Sequence, residues 1–217
     1  MIDVQSARRQ MIEQQVRAWD VLDLRVLDAM ERVPREAFVP ADYRDLAFAD
    51  MTLPIGEGQS MLAPNVEGRI LQSLAVTPAD RVLEVGAGSG YFAACLGTLA
   101  RSVHTIEVRP ALAHAALENL QRNAAHNVTV EVLDAMTLDV DGEYDVIALT
   151  GSLPVYAARF ERALRVGGRL FAVVGTRPVM DARLVTRTDH GAWTTESQFE
   201  TVMDPLLHAP TPPRFVF

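Results

Sequence analysis

No lysine occurs in this sequence: all 20 basic residues are arginine. That absence excludes Schiff-base catalysis and a P-loop, each of which needs a lysine amine. Cysteine is nearly as scarce. Cys95 stands alone, so no intrachain disulfide can form and no cysteine-rich zinc site exists. Its expected role is that of a small core residue. The five histidines, His104, His114, His126, His190 and His208, show no metal-ligand spacing; they read as core or surface residues, and no metal is expected. Long apolar runs are missing too. Nothing reaches the length of a membrane span and no signal-peptide apolar region is visible, which points to a cytoplasmic protein. Aromatic residues make up 6% of a chain that is 49% hydrophobic, so the core is aliphatic. The balance of charge is acidic, −8, which disfavours passive binding to nucleic acid or to a membrane surface.

What is present is organised around Val82 to Leu96, VLEVGAGSGYFAACL. A short apolar run breaks into Gly86, Ala87, Gly88, Ser89 and Gly90 and resumes with helix-compatible residues. Strand, glycine turn and helix in that order make the first βα unit of a nucleotide-binding α/β sheet. The glycines permit positive φ and close approach of backbone to a ligand. The free N–H groups of the following helix suit an anionic group. The next run, Val103 to Val108, reads as a second strand ending in Glu107, an acceptor suited to the two hydroxyls of a ribose.

The glycine spacing is G-x-G-x-G with Glu84 ahead of it, not the G-x-G-x-x-G of dinucleotide sites. It resembles motif I of S-adenosylmethionine (SAM) dependent methyltransferases, in which the loop wraps the methionine part of SAM. Later elements fit such a sheet. Val128 to Leu133 reads as a third strand ending in Asp134 and Ala135, and Tyr144 to Leu149 as a fourth ending in Thr150. Val155 to Leu164 reads as a helix stopped by Gly167 and Gly168, and Arg169 to Val174 as a fifth strand. Arg183 to Thr188 and Phe199 to Val202 suggest an antiparallel pair joined across His190 and Gly191. The proline-rich tail, Ala209 to Pro213, is expected to be extended and is followed by Arg214 to Phe217.

Ahead of the sheet, residues 3 to 19 have Met11, Ile12, Val16 and Trp19 at helical spacing, with Asp3 or Ser6 available as a cap. Arg8, Arg9 and Arg17 read as a solvated face. A second helix runs from Leu24 to Val33, with Val26, Leu27 and Met30 inward, and Pro34 ends it. Residues 47 to 64 are too long and too punctuated by proline and glycine for a hairpin turn, and read as a structured functional loop. Asn65 to Leu74 reads as an amphipathic helix. Tyr43, Trp19 and Trp193 read as packing residues.

Four stretches make a more specific resemblance. They are Arg8 with Met11, DLRVLDAM (residues 23–30), VPREAFVP (33–40) and DMTLPIGEGQ (50–59). With motif I following, they resemble the protein-L-isoaspartate O-methyltransferase family over roughly residues 8 to 175. The resemblance implies a Rossmann-like, seven-stranded SAM-methyltransferase sheet, mostly parallel with an antiparallel edge, plus N-terminal helices. It implies one domain over 1–217, with helices and substrate loop in 1–76 and the SAM-binding α/β core in 77–217. SAM is the implied cofactor. Glu84, Gly86, Ala87, Gly88, Ser89, Gly90, Glu107, Val108, Asp134, Ala135 and Thr150 are the implied cofactor site, with Asp134 meeting the adenine amino group. The implied partner is a protein or peptide with an isoaspartyl carboxylate, met by Ile55, Gly58, Gln59 and Leu62, with Ser60 as the catalytic candidate.

The sequence departs from the family after G-Q. Where the family has T-I-S-x-P, this chain has Ser60, Met61, Leu62, Ala63 and Pro64. Leu62 therefore stands where the family places a serine beside the substrate carboxylate, and leucine offers no donor. Weak isoaspartyl turnover, raised by Leu62→Ser, is the expectation from that position. The absence of an Asn/Asp-Pro-Pro-aromatic motif after Leu149 counts against nitrogen acceptors. A SAM methyltransferase on another carboxyl or hydroxyl, and a non-catalytic SAM-binding module, remain as alternatives; a nicotinamide dehydrogenase is disfavoured by the glycine spacing.

Overall fold

The computed structural model describes residues 3–213. The first helix, α1 (Val4–Met11), is capped by the Asp3 side chain, which accepts from the Gln5 N–H. It runs on through a π-helical stretch (Ile12–Val16) and a 3-10 turn (Arg17–Trp19) that Asp20 ends in the left-handed conformation. Trp19 lies past the buried stripe and is exposed, contrary to the packing role its spacing suggests. Arg8 also departs from the sequence reading. It is mostly buried, pairs with Glu36 and donates to the Glu31 carbonyl at 3.1 Å, tying α1 to the next segments. Helix α2 (Leu24–Arg32) starts at Asp23, whose carboxylate accepts from Arg25 N, and buries Val26, Leu27 and Met30.

The stretch from residue 47 to 64 does hold a hairpin. Strands β1 (Leu53–Gly56) and β2 (Gln59–Met61) pair antiparallel, with Leu53 opposite Met61 and Pro54 opposite Ser60. The reversal works because Gly56, Glu57 and Gly58 all take positive φ, and Pro54 is tolerated because a two-stranded ladder is all edge. Helix α3 (Pro64–Leu74) follows, with proline in its first turn.

The remaining strands form one seven-stranded sheet: β3 (Arg81–Val85), β4 (Ser102–Glu107), β5 (Val128–Val132), β6 (Tyr144–Leu149), β7 (Leu164–Val174), β8 (Met180–Asp189) and β9 (Ala192–Thr201). Their order is β5-β4-β3-β6-β7-β8-β9; the first five are parallel, and β7, β8 and β9 pair antiparallel. Helix α4 (Tyr91–Leu99) crosses from β3 to β4, and α5 (Pro110–Arg122) from β4 to β5. Alternate residues along a strand face opposite layers. Val82, Val103, Val146 and Phe171 join the core under α1 to α4, where Cys95 is buried; Leu83, Ile106, Ile147 and Leu170 join a second core on the other face.

That second face carries little helix. The expected helix over Val155 to Leu164 is a single turn, α6 (Arg159–Arg162). The backbone before it is used elsewhere: Ser152 bridges Pro205 and Leu153 bridges Val174. Gly167 and Gly168 are not a helix stop but lie inside β7, where the register against β6 jumps from Leu164 opposite Tyr144 to Arg169 opposite Val146. The antiparallel pair across His190 and Gly191 is present and longer than its sequence suggests. Residues 209–213 carry no helix or strand; Arg214 to Phe217 lie outside the described residues. Among the described residues no helix is long and apolar enough to cross a membrane.

Candidate active site

A sheet whose strand order reverses between β4 and β6 opens a crevice at the carboxyl ends of its strands, because successive crossovers leave to opposite sides. Here that switch point is β3, and Gly86 follows it directly. A cavity of about 340 Å³ lies there, within the usual range for small-ligand sites. It runs from the ends of β5 and β4, through Asp134, Ala135, Glu107 and Val108, past Gly86, Gly88 and Thr150 at β3 and β6, to Arg177 beyond β7.

The glycine loop is held by main-chain and hydroxyl contacts. Gly86 takes φ +99 and its N–H donates to the Ile106 carbonyl at 2.8 Å. The Thr150 hydroxyl sits 2.8 Å from the Val85 carbonyl and 2.7 Å from the Gly86 carbonyl, donating to them. A Cβ on Gly86 would meet that hydroxyl at 2.4 Å, so no side chain fits. Glu107 is buried; one carboxylate oxygen accepts from Gly88 N at 3.2 Å and the other from Arg109 N at 3.0 Å. Each oxygen keeps further acceptor capacity toward the cavity. Asp134 accepts from Met136 N at 2.8 Å and lies 2.7 Å from His208 Nδ1. These bonds and the nearby Arg159 outweigh burial and hold its carboxyl below the usual range.

Not every residue of the expected cofactor site lines this cavity. Ser89 is buried, its hydroxyl accepting from Tyr91 N at 3.3 Å and its carbonyl accepting from Asn119 at 2.9 Å. Gly90 takes φ +85, and a Cβ there would press on the Ala116 carbonyl at 3.1 Å; it serves the packing of α4 on α5. Glu84 and Ala87 lie behind the loop, with Ser60, Leu62 and Glu67, around a small cavity of about 40 Å³. Both Glu84 oxygens are buried without a partner, and burial pushes its carboxyl up to about 8.

The hairpin forms the opposite wall. Ile55, Gln59, Ser60 and Leu62 line the main cavity, whereas Gly58 stands outside it in the turn. Ser60 is exposed and Leu62 half-buried. The hairpin is anchored by Arg35, which is fully buried. Its guanidinium donates to the Ala47 carbonyl at 2.8 Å and to the Leu62 carbonyl at 2.6 Å, pairs with Glu67 of α3, and lies 4.9 Å from the centre of the Tyr91 ring. Burial outweighs the pairing and pushes the Glu67 carboxyl up to about 7.

Several lining residues carry no local sequence signal. Residues 202–207 follow β9 and form a strap along the cavity. Ser152 fixes it: Ser152 N donates to the Asp204 carbonyl at 2.8 Å, the Ser152 hydroxyl to the Met203 carbonyl at 2.9 Å, and Leu206 N to the Ser152 carbonyl at 2.9 Å. His208, read as an ordinary core or surface residue, closes the strap onto Asp134. Arg109, Leu112 and Arg177 also line the cavity. The strap and Arg177 are far in sequence from every motif, so only the folded chain reveals them.

A glycine loop at the switch point, an acid closing the next strand, and this strand order define the SAM-dependent methyltransferase class of Rossmann-like fold. Solved structures share that fold. One from Plasmodium falciparum, described as a protein-L-isoaspartate O-methyltransferase in complex with S-adenosyl-L-homocysteine, superposes with TM-score 0.81 at 18% identity, over 92% of this chain and 97% of its own. A second protein-L-isoaspartate O-methyltransferase structure gives 0.73 at 19% identity, over 91% of this chain and 65% of its own. The profile of the protein-L-isoaspartate(D-aspartate) O-methyltransferase family matches residues 6–209. The protein-L-isoaspartate O-methyltransferase of Roseiflexus castenholzii is 39% identical over 214 residues, 90% of this chain and 98% of its own. That of Aeropyrum pernix is 37% identical over 206 residues, 93% of this chain and 79% of its own. The chain belongs to the protein-L-isoaspartate(D-aspartate) O-methyltransferase family.

Proposed function

We propose that this protein transfers the methyl group of SAM to the carboxylate of an isoaspartyl residue in a protein or peptide, in the cytoplasm. The observation that carries the reading is the single cavity that joins the motif I loop and Glu107 to the hairpin of the family's LPIGEGQ signature. Residues 1–76 then supply the substrate loop and residues 77–217 the SAM-binding core, as one unit. Bound SAM supplies an electrophilic sulfonium methyl; attack by a carboxylate oxygen breaks the S–CH₃ bond, leaving a methyl ester and S-adenosylhomocysteine.

The residues present fit SAM. Glu107 has acceptor capacity for the ribose hydroxyls, and the apolar walls Val108, Leu112, Leu133 and Ala135 suit an adenine ring. Asp134 has lone pairs left for the adenine amino group despite its two present partners. Gly86 and Gly88 let the backbone approach the methionine part. No general base is needed, since an acceptor carboxylate of pKa about 4 is ionised near neutral pH. The work of the chain is positioning. Leu62 presents apolar surface where a donor would orient that carboxylate, so the orienting falls to Ser60, to hairpin N–H groups, or to a group outside the hairpin.

The test is transfer of label from radiolabelled SAM to an isoaspartyl peptide, beside the Leu62→Ser variant. Label should enter the peptide. One hydrogen bond to a charged group amounts to about 1.5–3 kcal/mol, so the variant gains up to ~10- to 150-fold where nothing else orients the carboxylate. No gain assigns the orienting to another group. SAM binding without transfer to the peptide by either protein would sink the reading. Leu62 favours one second reading, transfer to a different carboxyl or hydroxyl, and labelling of such acceptors in place of the peptide would select it.

A further inference from the structure

Two arginines line the cavity, and the strand order separates them. Arg109 follows Glu107 at the end of β4, beside the site assigned to the ribose. Arg177 follows β7, beyond Thr150 and Gly151 at the end of β6, at the opposite end of the cavity. The acids of the lining are mostly committed. Both Glu107 oxygens accept main-chain N–H groups, and both Asp134 oxygens have partners. Arg177 contacts one acid, Asp204 of the strap, at 3.3 Å, and the two side chains are 69% and 58% exposed. Exposed pairs of this kind contribute little to stability, so this guanidinium can be re-partnered at small cost.

We propose that Arg177 binds the carboxylate of the methyl acceptor, which makes it a specificity-determining residue for an anionic substrate. The inference rests on the reading of the protein as a carboxyl methyltransferase. It answers the question that Leu62 raises: the hairpin lacks a charged donor, and the far wall of the same cavity has one. A guanidinium presents a planar fork that matches a carboxylate through two parallel bonds. With five donors it can hold the substrate and keep Asp204. Holding one carboxylate through such a fork fixes its plane, which is what aiming an oxygen at the donor methyl requires. The proposal also implies that Leu62→Ser gains little, because the carboxylate already has a partner.

The experiment is calorimetric titration of the S-adenosylhomocysteine-saturated protein with an isoaspartyl peptide and with the same peptide amidated at that carboxylate. Wild type should prefer the acid form by about tenfold or more. Arg177→Gln should bind the two peptides alike, with unchanged affinity for S-adenosylhomocysteine, and Arg177→Lys should restore part of the preference. Full preference in Arg177→Gln overturns the proposal, as does a wild type with no preference. A matching loss of S-adenosylhomocysteine affinity also overturns it, because Arg177 would then serve the donor's own carboxylate. Label transfer measured in parallel separates the two claims. A wild type that selects the acid peptide through Arg177 but does not methylate it keeps the proposal and removes the activity. Methylation at full rate by Arg177→Gln keeps the activity and removes the proposal.

Discussion

At the proposed donor end of the cavity, Gly86, Gly88 and Glu107 come from two neighbouring strand ends, and main-chain N–H groups satisfy the acid. At the proposed acceptor end, the wall is a two-stranded hairpin fixed by a buried guanidinium that reaches Ala47, Leu62 and Glu67 at once. The first arrangement relies on backbone geometry. Its parts are close in sequence, and a side chain can be lost without opening the core. The second relies on buried charge. Its parts are scattered, and its geometry fails if one partner goes. The donor end therefore rests on local geometry, and the acceptor end on contacts between distant segments.

Breaking the donor half at its tightest point should give the largest effect. Gly86→Val puts a branched side chain where a Cβ already meets Thr150 at 2.4 Å, at φ +99. SAM binding measured by calorimetry should be lost. Gly88→Val should do less, because its Cβ meets only the end of the Ile55 side chain, at 3.1 Å. Retained binding in Gly86→Val would remove the loop from the site.

Breaking the acceptor half should cost stability first. Arg35→Met leaves Glu67 buried without its cation, a loss of about 3–5 kcal/mol above about pH 7, where Glu67 is ionised, read from urea unfolding midpoints. A loss under about 1 kcal/mol would mean the hairpin is held by its apolar contacts alone. A smaller step is Glu107→Ala, which should weaken SAM binding by about 1.5–3 kcal/mol while the fold persists. Unchanged affinity would move the ribose elsewhere.

The remaining effect is a slope of stability against pH. Glu67 and Glu84 hold their protons in the fold up to about 7 and about 8, against 4.5 when unfolded. Between about pH 5 and 8 the folded state therefore binds more protons than the unfolded state, and stability falls as pH rises. One such group contributes at most about 1.4 kcal/mol per pH unit. Glu84→Gln should flatten part of the slope in denaturant melts at stepped pH; an identical slope would show that Glu84 is already ionised.

The same contrast explains what the sequence made legible. The sheet, its antiparallel edge and the placement of Gly86, Glu107 and Thr150 follow from short apolar runs broken by glycine or acid, which are local signals. The hairpin was hidden because Pro54 and three consecutive positive-φ residues look like irregular loop until Leu53 is seen opposite Met61. The helix expected over Val155 to Leu164 is reduced to Arg159–Arg162, and the residues just before it, Ser152 and Leu153, pair with Pro205 and Val174, which are distant in sequence. Gly90 and Ser89 sit in the motif for packing reasons that only Ala116 and Asn119 reveal. Arg35 stood inside a recognised motif, yet its role needs Ala47, Leu62 and Glu67 brought together.

The strap gives the cavity an unusual span along the chain. Its walls run from Thr52 in the hairpin segment to Leu207 after β9, so no contiguous fragment between those positions contains the site. An opening that unpairs β8 from β7 also removes the strap that follows β9, so a ligand gains nothing from it. A ligand at a hundred times its dissociation constant adds about 2.7 kcal/mol to the folded state. That increment should slow amide hydrogen exchange throughout the sheet, including strands that never touch the ligand, because the openings that expose them dismantle the pocket as well.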